Sequence, residues 1–205
     1  GSIDAVLNDR ADAAGGACNS PPFLRLEASP RGLRWPELPH DDPEAVARVR
    51  ARLPWYVPHM AVEGPTISGD GIQVFSSAYP FLVALAETDD RLVYSMVKVM
   101  LEHFNEYKGN APGANGWSID RQKFDQAFVP YHPGAIRYFK EIGVWTEAAE
   151  KINQANLRRQ QVLQDAWQSY LPNAPEGYQA FEEGWLQARE TALKTAGLIT
   201  LGEGL

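Results

Sequence analysis

The last third of the chain constrains the fold most, because its apolar residues recur at helical spacing over about fifty residues, from Glu147 to Gly197. The segment LPNAPEG interrupts the pattern, and its prolines and glycine end one helix and precede another. The first apolar stripe consists of Ile152, Ala155, Val162, Ala166 and Tyr170, and the second of Tyr178, Phe181, Trp185, Ala188 and Ala192. So short a connection predicts an antiparallel helical hairpin.

The first forty residues have a different rhythm, in which short helical and strand-like segments alternate. SIDAVL has helical spacing, whereas ADAAGGA is small and apolar like a buried strand that ends at glycines. CNSPPFLRLEAS begins with capping residues and two prolines, as helices often do, and RGLRWPELP predicts a second short strand. This alternation predicts an α/β fold.

The middle of the chain carries its longest apolar run. A helix is predicted directly after Asp42, its capping residue, and the Pro/Gly-rich segment LPWYVPHMAVEGPTISGDG is then predicted to be a long loop. Residues Ile72 to Glu87 are rich in apolar and aromatic side chains and predict one long strand, bent near Tyr79-Pro80. From Asp89 a period of about 3.6 residues returns and predicts another helix.

Charge and cysteine content exclude several classes of protein. The net charge of −7 with no basic stripe argues against nucleic acid as the main partner. No apolar stretch approaches the roughly 20 residues that a transmembrane helix needs. Cys18 is the single cysteine, so intrachain disulfides and cysteine-rich metal sites are impossible.

Catalytic and metal-binding patterns are weak. His40, Asp41 and Asp42 stand in a row, but consecutive residues rarely converge on one ion, and carboxylates are favoured at a helix start without any metal. There is no nucleophile elbow, P-loop or dinucleotide-binding glycine motif. Cys18 precedes a helix start, which permits a reactive thiol, although a small buried residue in a tight turn is the favoured interpretation. No metal, cofactor or enzymatic activity is predicted.

The segment from Gly15 to Pro22 is the best candidate for a ligand-binding segment. It joins a predicted strand to a helix start, and free N–H groups at such a junction favour anions. Asn19 and Ser20 would present their side chains there. Ligand binding and plain helix capping are equally compatible with these residues.

The stretch YHPGAIRYFKEIGVW invites a catalytic interpretation that its details do not favour. Pro133 and Gly134 predict a helix start and Gly143 a helix stop. No second polar group at suitable spacing accompanies His132. We therefore expect a structural helix whose aromatic side chains dock against the rest of the protein.

Three segments together resemble one family. LNDRADAAGGACNSP, YPFLVALAETDDRLVYSMVKVMLE and VPYHPGAIRYFKEIGVW are similar, in order and spacing, to the carboxyl-terminal part of the TAXI-type solute receptors of TRAP transporters. The family's motifs correspond here to Arg10 to Ala13, Asp89 to Tyr94, and His132 to Gly143. Asp9-Arg10 departs from the family pattern, which usually has a glycine there.

The resemblance implies part of a type II periplasmic-binding-protein fold, the two-lobed venus-flytrap. Residues 1–71 would be the tail of the second lobe, 72–146 the hinge strand and the return into the first lobe, and 147–205 a helical extension. Such a receptor works in the periplasm and delivers a small organic anion, such as an amino acid or a dicarboxylate, to transporter membrane subunits. Because family members carry an amino-terminal lobe segment before this point, either a fragment or a chain completed by another segment or copy is expected.

Candidate ligand contacts are Asn19 and Ser20 at the helix start, with Ser76, Ser77 and Tyr79 on the hinge strand. A competing hypothesis is a helical protein–protein interaction module without a small-molecule ligand. Its contact surface would be the hairpin aromatics, namely Trp167, Tyr170, Tyr178, Phe181 and Trp185.

Overall fold

The computed structural model describes residues 1–78 and 81–200, and most of its regular structure is helical. The helices are α1 (Ser2–Leu7), α2 (Pro21–Glu27), α3 (Pro43–Arg52), α4 (Asp90–Glu102), α5 (Phe104–Tyr107), α6 (Pro133–Glu141), α7 (Glu147–Tyr170) and α8 (Tyr178–Thr195). The strands are β1 (Val57–Ala61) and β2 (Ile72–Ser76). Short 3₁₀ turns lie at Ala114–Trp117, Ile119–Arg121, Phe124–Gln126 and Leu171–Asn173.

The described residues group into two compact units. Unit 1 comprises Gly1–Ala47, Tyr56–Ser77 and Ser95–Gln122, and unit 2 comprises the described residues within Arg48–Trp55, Ala78–Tyr94 and Lys123–Leu205. The chain therefore passes between the units several times. The assignment of sequence segments to receptor lobes remains a prediction.

The two strands pair antiparallel, with Val57 opposite Ser76 and Ala61 opposite Ile72. Gly71 has a φ of +87°, and a Cβ there would lie 2.4 Å from the Ala61 carbonyl oxygen, so only glycine permits this connection. The prediction of a continuous loop before Ile72 was therefore wrong, since β1 lies inside it. Pro58 is compatible with strand β1 because β1 pairs with a single strand in the described sheet, so its other edge needs no N–H donors.

Other strand predictions were also wrong. ADAAGGA forms no strand, because alanine and glycine have little β propensity and little side chain to bury. RGLRWPELP forms no strand either, because Pro36 and Pro39 have no N–H group to donate to a neighbouring strand. Its Leu38 N–H makes a single bond of the kind found between strands, to the Gln73 carbonyl at 2.8 Å.

The predicted long strand from Ile72 to Glu87 is confirmed only over Ile72–Ser76. Residues 81–85 have no regular structure, and their large side chains are exposed, Val83 by 79% and Leu85 by 71%. A strand requires a neighbour for its backbone hydrogen bonds, and residues 81–85 have none among the strands that the structure describes. Tyr79 and Pro80, the predicted bend, lie outside the described residues.

Unit 1 has a small apolar core around α1 and α2. Val6, Phe23 and Leu26 are buried, and partly buried side chains including Trp35 pack against them. The Phe23 and Trp35 ring centroids are 4.7 Å apart. The helical spacing of SIDAVL and the paired prolines of α2 predicted both helices correctly.

Unit 2 contains α6, which begins and ends where the sequence predicted. Pro133 occupies the first helical turn, the His132 Nδ1 accepts a hydrogen bond from the Gly134 N–H at 3.2 Å, and Gly143 ends the segment with a φ of +73°. A Cβ at Gly134 would lie 2.3 Å from the Asp90 carbonyl oxygen, so glycine lets α6 pack closely against the start of α4. The structural role predicted for this stretch is thus supported.

Four aromatic rings from α6 and its flanks pack together. Phe124, Tyr131, Phe139 and Trp145 have pairwise centroid distances from 4.7 to 6.4 Å. The Asn153 side chain of α7, which is 2% exposed, accepts a hydrogen bond from the Tyr131 N–H at 2.8 Å. This contact holds the segment before α6 against the hairpin.

The predicted hairpin from Glu147 onward is confirmed as α7 and α8. Thr146 caps α7 by accepting a hydrogen bond from the Ala149 N–H, and Ala149 and Leu193 are fully buried. Near the connection between α7 and α8, the Tyr170 hydroxyl donates a hydrogen bond to the Phe181 carbonyl at 2.6 Å. A Cβ at Gly184 would lie 2.7 Å from that hydroxyl, so glycine leaves room for the tyrosine. Tyr178, placed in the apolar stripe by the periodicity, is instead 82% exposed.

The architecture is therefore a helix-rich mixture with one two-stranded antiparallel sheet, not the alternating α/β arrangement that the first forty residues suggested. Among the described residues no helix combines the length and apolarity needed to cross a membrane.

Candidate functional site

The predicted ligand residues that the structure describes all lie in unit 1. Ser20 is the N-cap of α2, and Asn19 precedes it in the same turn. Ser76 ends β2, and its hydroxyl donates to the Ser77 carbonyl at 3.3 Å. Tyr79 lies outside the described residues.

The backbone of the α2 start offers an anion few donors. Pro21 and Pro22 have no N–H, and the Phe23 N–H donates to the Ser20 carbonyl at 3.1 Å. The first three helical positions therefore have no free N–H group. An anion held here would depend on side chains, so the neighbours of Asn19 become decisive.

Two glycines bring other loops against the Asn19 turn. A Cβ at Gly113 would lie 2.9 Å from the Asn19 Nδ2, and a Cβ at Gly64 would lie 2.8 Å from the Cys18 carbonyl oxygen. Both glycines have positive φ, of +79° and +145°. Each stands close to a polar residue of its own loop: Glu63 directly precedes Gly64, and Asn115 lies two residues after Gly113.

Glu63, Asn115 and Arg121 form one hydrogen-bonded cluster in unit 1. The Glu63 Oε1 accepts from the Asn115 Nδ2 at 2.6 Å and from the Arg121 Nη2 at 3.2 Å. Arg121 remains 47% exposed and Glu63 37% exposed. A guanidinium has five N–H donors, and the bond to Glu63 uses one of them, so the cation retains donors for a second acceptor.

The Asn115 side chain completes the geometry with a buried acceptor. Its Oδ1 is shielded from solvent and has no hydrogen-bond partner. Its Nδ2 is held by Glu63, so turning the amide over would place an oxygen against a carboxylate. We call Asn19, Glu63, Asn115 and Arg121 the polar cluster.

His59 adds to the electrostatics near the polar cluster. Partial burial lowers the pKa of the His59 imidazole below its usual 6.5, and the charges of Arg121 and His40 lower it further. The neutral form of the ring is therefore favoured over the charged form. The paired charges of Glu63 and Arg121 leave the polar cluster itself without net charge.

The structure does not bring Ser76 and Ser77 to the polar cluster. Glu63 follows the end of the ladder where Ala61 faces Ile72, whereas Ser76 faces Val57 at the other end. Four residues at 3.3 Å each separate the two ends by about 13 Å. A ligand contact by Ser76 or Ser77 remains a prediction, at a place distinct from Asn19.

Sequence reasoning missed Glu63, Asn115 and Arg121. Glu63 and Asn115 stand in segments rich in glycine, and Arg121 follows the second of them. The sequence pattern that could have indicated these residues is a loop in which glycines stand close to amide and charged side chains. Conformationally free glycines are common where backbones approach closely, and loops often carry binding residues.

The remaining candidates have structural explanations. The His40 Nε2 lies 2.8 Å from the Val74 carbonyl, and Asp42 caps α3 by accepting from the Glu44 and Ala45 N–H groups. Over residues 1–78 and 81–200 no group of three possible metal ligands is found. Cys18 is a free, half-buried cysteine in the turn before α2.

The hairpin aromatics mostly contact one another. Trp167, Tyr170, Phe181 and Trp185 have centroid distances between 4.7 and 6.3 Å. This packing accounts for four of the five side chains proposed for a partner surface, and only Tyr178 projects into solvent. The arrangement favours a self-packed hairpin over an interaction module.

Comparison with known proteins gives one result. The sequence model of the NMT1-like family matches residues 36–143, just over half of the chain. This family is of the periplasmic solute-binding type, and its members are typically extracytoplasmic binding proteins rather than enzymes. Two of the three resembling motifs, at Asp89 to Tyr94 and His132 to Gly143, lie inside the match, and the one at Arg10 to Ala13 lies outside it. No curated protein and no solved structure matches significantly.

Proposed function

The chain belongs to the NMT1-like family, and from that premise we propose that it is an extracytoplasmic solute-binding protein for a small organic anion, either an amino acid or a dicarboxylate. The finer assignment, delivery to the membrane subunits of a TRAP transporter by a TAXI-type receptor, draws support from the two motifs that lie within the family match. The family also suggests a periplasmic-binding fold and a periplasmic location.

The observation that carries the proposal is the half-exposed Arg121 within the polar cluster. Its guanidinium is oriented by Glu63 at 3.2 Å and retains donors for a ligand carboxylate. The Asn19 side chain lies against Gly113, at the start of the turn that carries Asn115, and would supply an amide to the ligand. Ser20 is the hydroxyl next to Asn19. Contacts from Ser76, Ser77 and Tyr79 of the hinge strand remain proposals that are separate from this cluster.

Ligand-induced stabilisation tests the proposal. A panel of amino acids and carboxylates is added to the protein, and thermal unfolding is followed. At 100 times Kd a ligand that binds only the native state adds about 2.7 kcal/mol, enough for a shift of several degrees. Arg121→Ala should abolish the shift, and Arg91→Ala, which removes an exposed arginine paired with Asp89, should retain it.

A panel that produces no shift with the wild-type protein would contradict the proposal. An identical shift in the wild type and in Arg121→Ala would leave binding intact but remove the polar cluster as its site.

A further inference from the structure

The unpartnered Oδ1 of Asn115 identifies a chemical requirement for the ligand. A buried carbonyl oxygen without a donor is rare in folded proteins, and those that occur call for a specific explanation. The Nδ2 of the same Asn115 amide donates a hydrogen bond to the Glu63 carboxylate at 2.6 Å. The orientation of the amide therefore follows from the neighbouring carboxylate.

We propose that Asn115 is a specificity-determining residue, which selects carboxylates that carry a hydroxyl or ammonium group on the carbon next to the carboxylate. This inference rests on the proposed function. The ligand carboxylate occupies Arg121, and the adjacent O–H or N–H group donates to the Asn115 Oδ1. Carboxylates without such a donor leave the oxygen unpaired and bind more weakly.

The polar cluster has the right charge for this selection. Glu63 and Arg121 offset one another's charge, and desolvation lowers the pKa of His59, which disfavours its charged form. Arg121 is the single cation among the four residues of the polar cluster, so a second carboxylate of the ligand has no cation there to pair with. A hydrogen-bond donor meets the Asn115 Oδ1 and, beside it, the carboxylate of Glu63.

Two glycines lie close to Asn115 in the backbone. Asn115 lies on the 3₁₀ turn Ala114–Trp117, with Gly113 before it at a φ of +79° and Gly116 within it. No heavy atom lies within 4 Å of a Cβ added at Gly116. Gly113 lies two residues before Asn115 and Gly116 directly after it, and glycine restricts the backbone least of all residues.

The test compares acids that differ only in the group beside the carboxylate. Propionate, lactate and alanine form one series, and succinate, malate and aspartate form the other. Isothermal titration of the wild-type protein should show at least one series in which the hydroxy or amino acid binds about tenfold tighter than its unsubstituted parent. Lactate and malate report a hydroxyl donor, and alanine and aspartate report an ammonium donor.

Asn115→Leu should bring the affinity ratio within that series close to one. Asn105→Leu, which alters an exposed asparagine of α5, should leave the ratio unchanged. Equal wild-type affinities within both series overturn the inference, as does a preference that survives in Asn115→Leu. Failure of all six acids to bind also overturns it.

The two proposals fail in different ways. If another carboxylate from the broad panel binds through Arg121 while these series show no preference, the solute-binding function stands and the role of Asn115 is wrong. If Asn115→Leu proves unstable, the wild-type ratios alone decide, because they require no variant.

Discussion

Unit 1 and unit 2 are organised by different kinds of contact. In unit 2 the side chains of His132 and Thr146 cap α6 and α7, and apolar or aromatic side chains of α6, α7 and α8 are buried. In unit 1 a small core supports α1 and α2, while loops meet through positive-φ glycines and a hydrogen-bonded polar cluster. The difference separates a region held together by apolar packing between helices from one in which polar contacts join the loops.

The strongest test of this comparison removes apolar packing from unit 2. Leu193 of α8 is fully buried, so Leu193→Ala should lower the free energy of unfolding by about 2–5 kcal/mol, through lost burial and the remaining cavity. Leu186→Ala on the same helix is the matched control, because Leu186 is 44% exposed and should cost far less. Chemical denaturation measures both, and equal losses would show that the hairpin is not the stabilising core of unit 2.

A smaller effect is expected from the buried polar contact of unit 2. Asn153→Ala removes the acceptor of the Tyr131 N–H, and an unsatisfied buried donor costs about 1–3 kcal/mol. Gln154→Ala changes the next residue, whose exposed side chain donates to Glu150, and should cost less than about 0.5 kcal/mol. Denaturant titration compares the two, and an Asn153→Ala variant as stable as Gln154→Ala would contradict the role of the buried contact.

The two units also differed in how well the sequence predicted them. The hairpin and α6 were predicted closely, because helical periodicity, the proline after His132 and the terminal Gly143 are local signals that tertiary contacts reinforced. Even there, periodicity alone misplaced Tyr178, since it identifies a face of the helix without saying what covers it.

In unit 1 the local signals were insufficient. Whether RGLRWPELP forms a strand depends on a neighbouring strand, which single-sequence patterns do not supply. Residues 81–85 of unit 2 were predicted wrongly for the same reason. The polar cluster joins residues 63, 115 and 121, from three separate segments, so its existence depends on long-range packing. The position of Asn19 before a helix predicted it as a ligand contact. The residues that lie close to it in space, such as Gly113, are known only from the folded chain.

The smallest expected effect is electrostatic and concerns unit 1. Because partial burial lowers the pKa of His59 below 6.5, the unfolded chain takes up a proton there more readily than the folded chain. The stabilisation from a neutral His59 is therefore complete above pH 6.5 and is lost as the pH falls through the folded-state pKa. His59→Gln should flatten the part of the stability profile that falls below pH 6.5.

NMR titration of the His59 ring measures this directly. Arg121→Ala should raise the pKa of His59 only in part, because burial is the larger cause and the Arg121 charge the second. His103 is the internal control with the opposite sign: its hydrogen bond to Glu106 raises its pKa, and Arg121→Ala should leave it unchanged. A His59 pKa above 6.5, or one unaffected by Arg121→Ala, would contradict the electrostatic link between this ring and the polar cluster. Unit 1 would then have an isolated Glu63–Arg121 pair in place of a connected site.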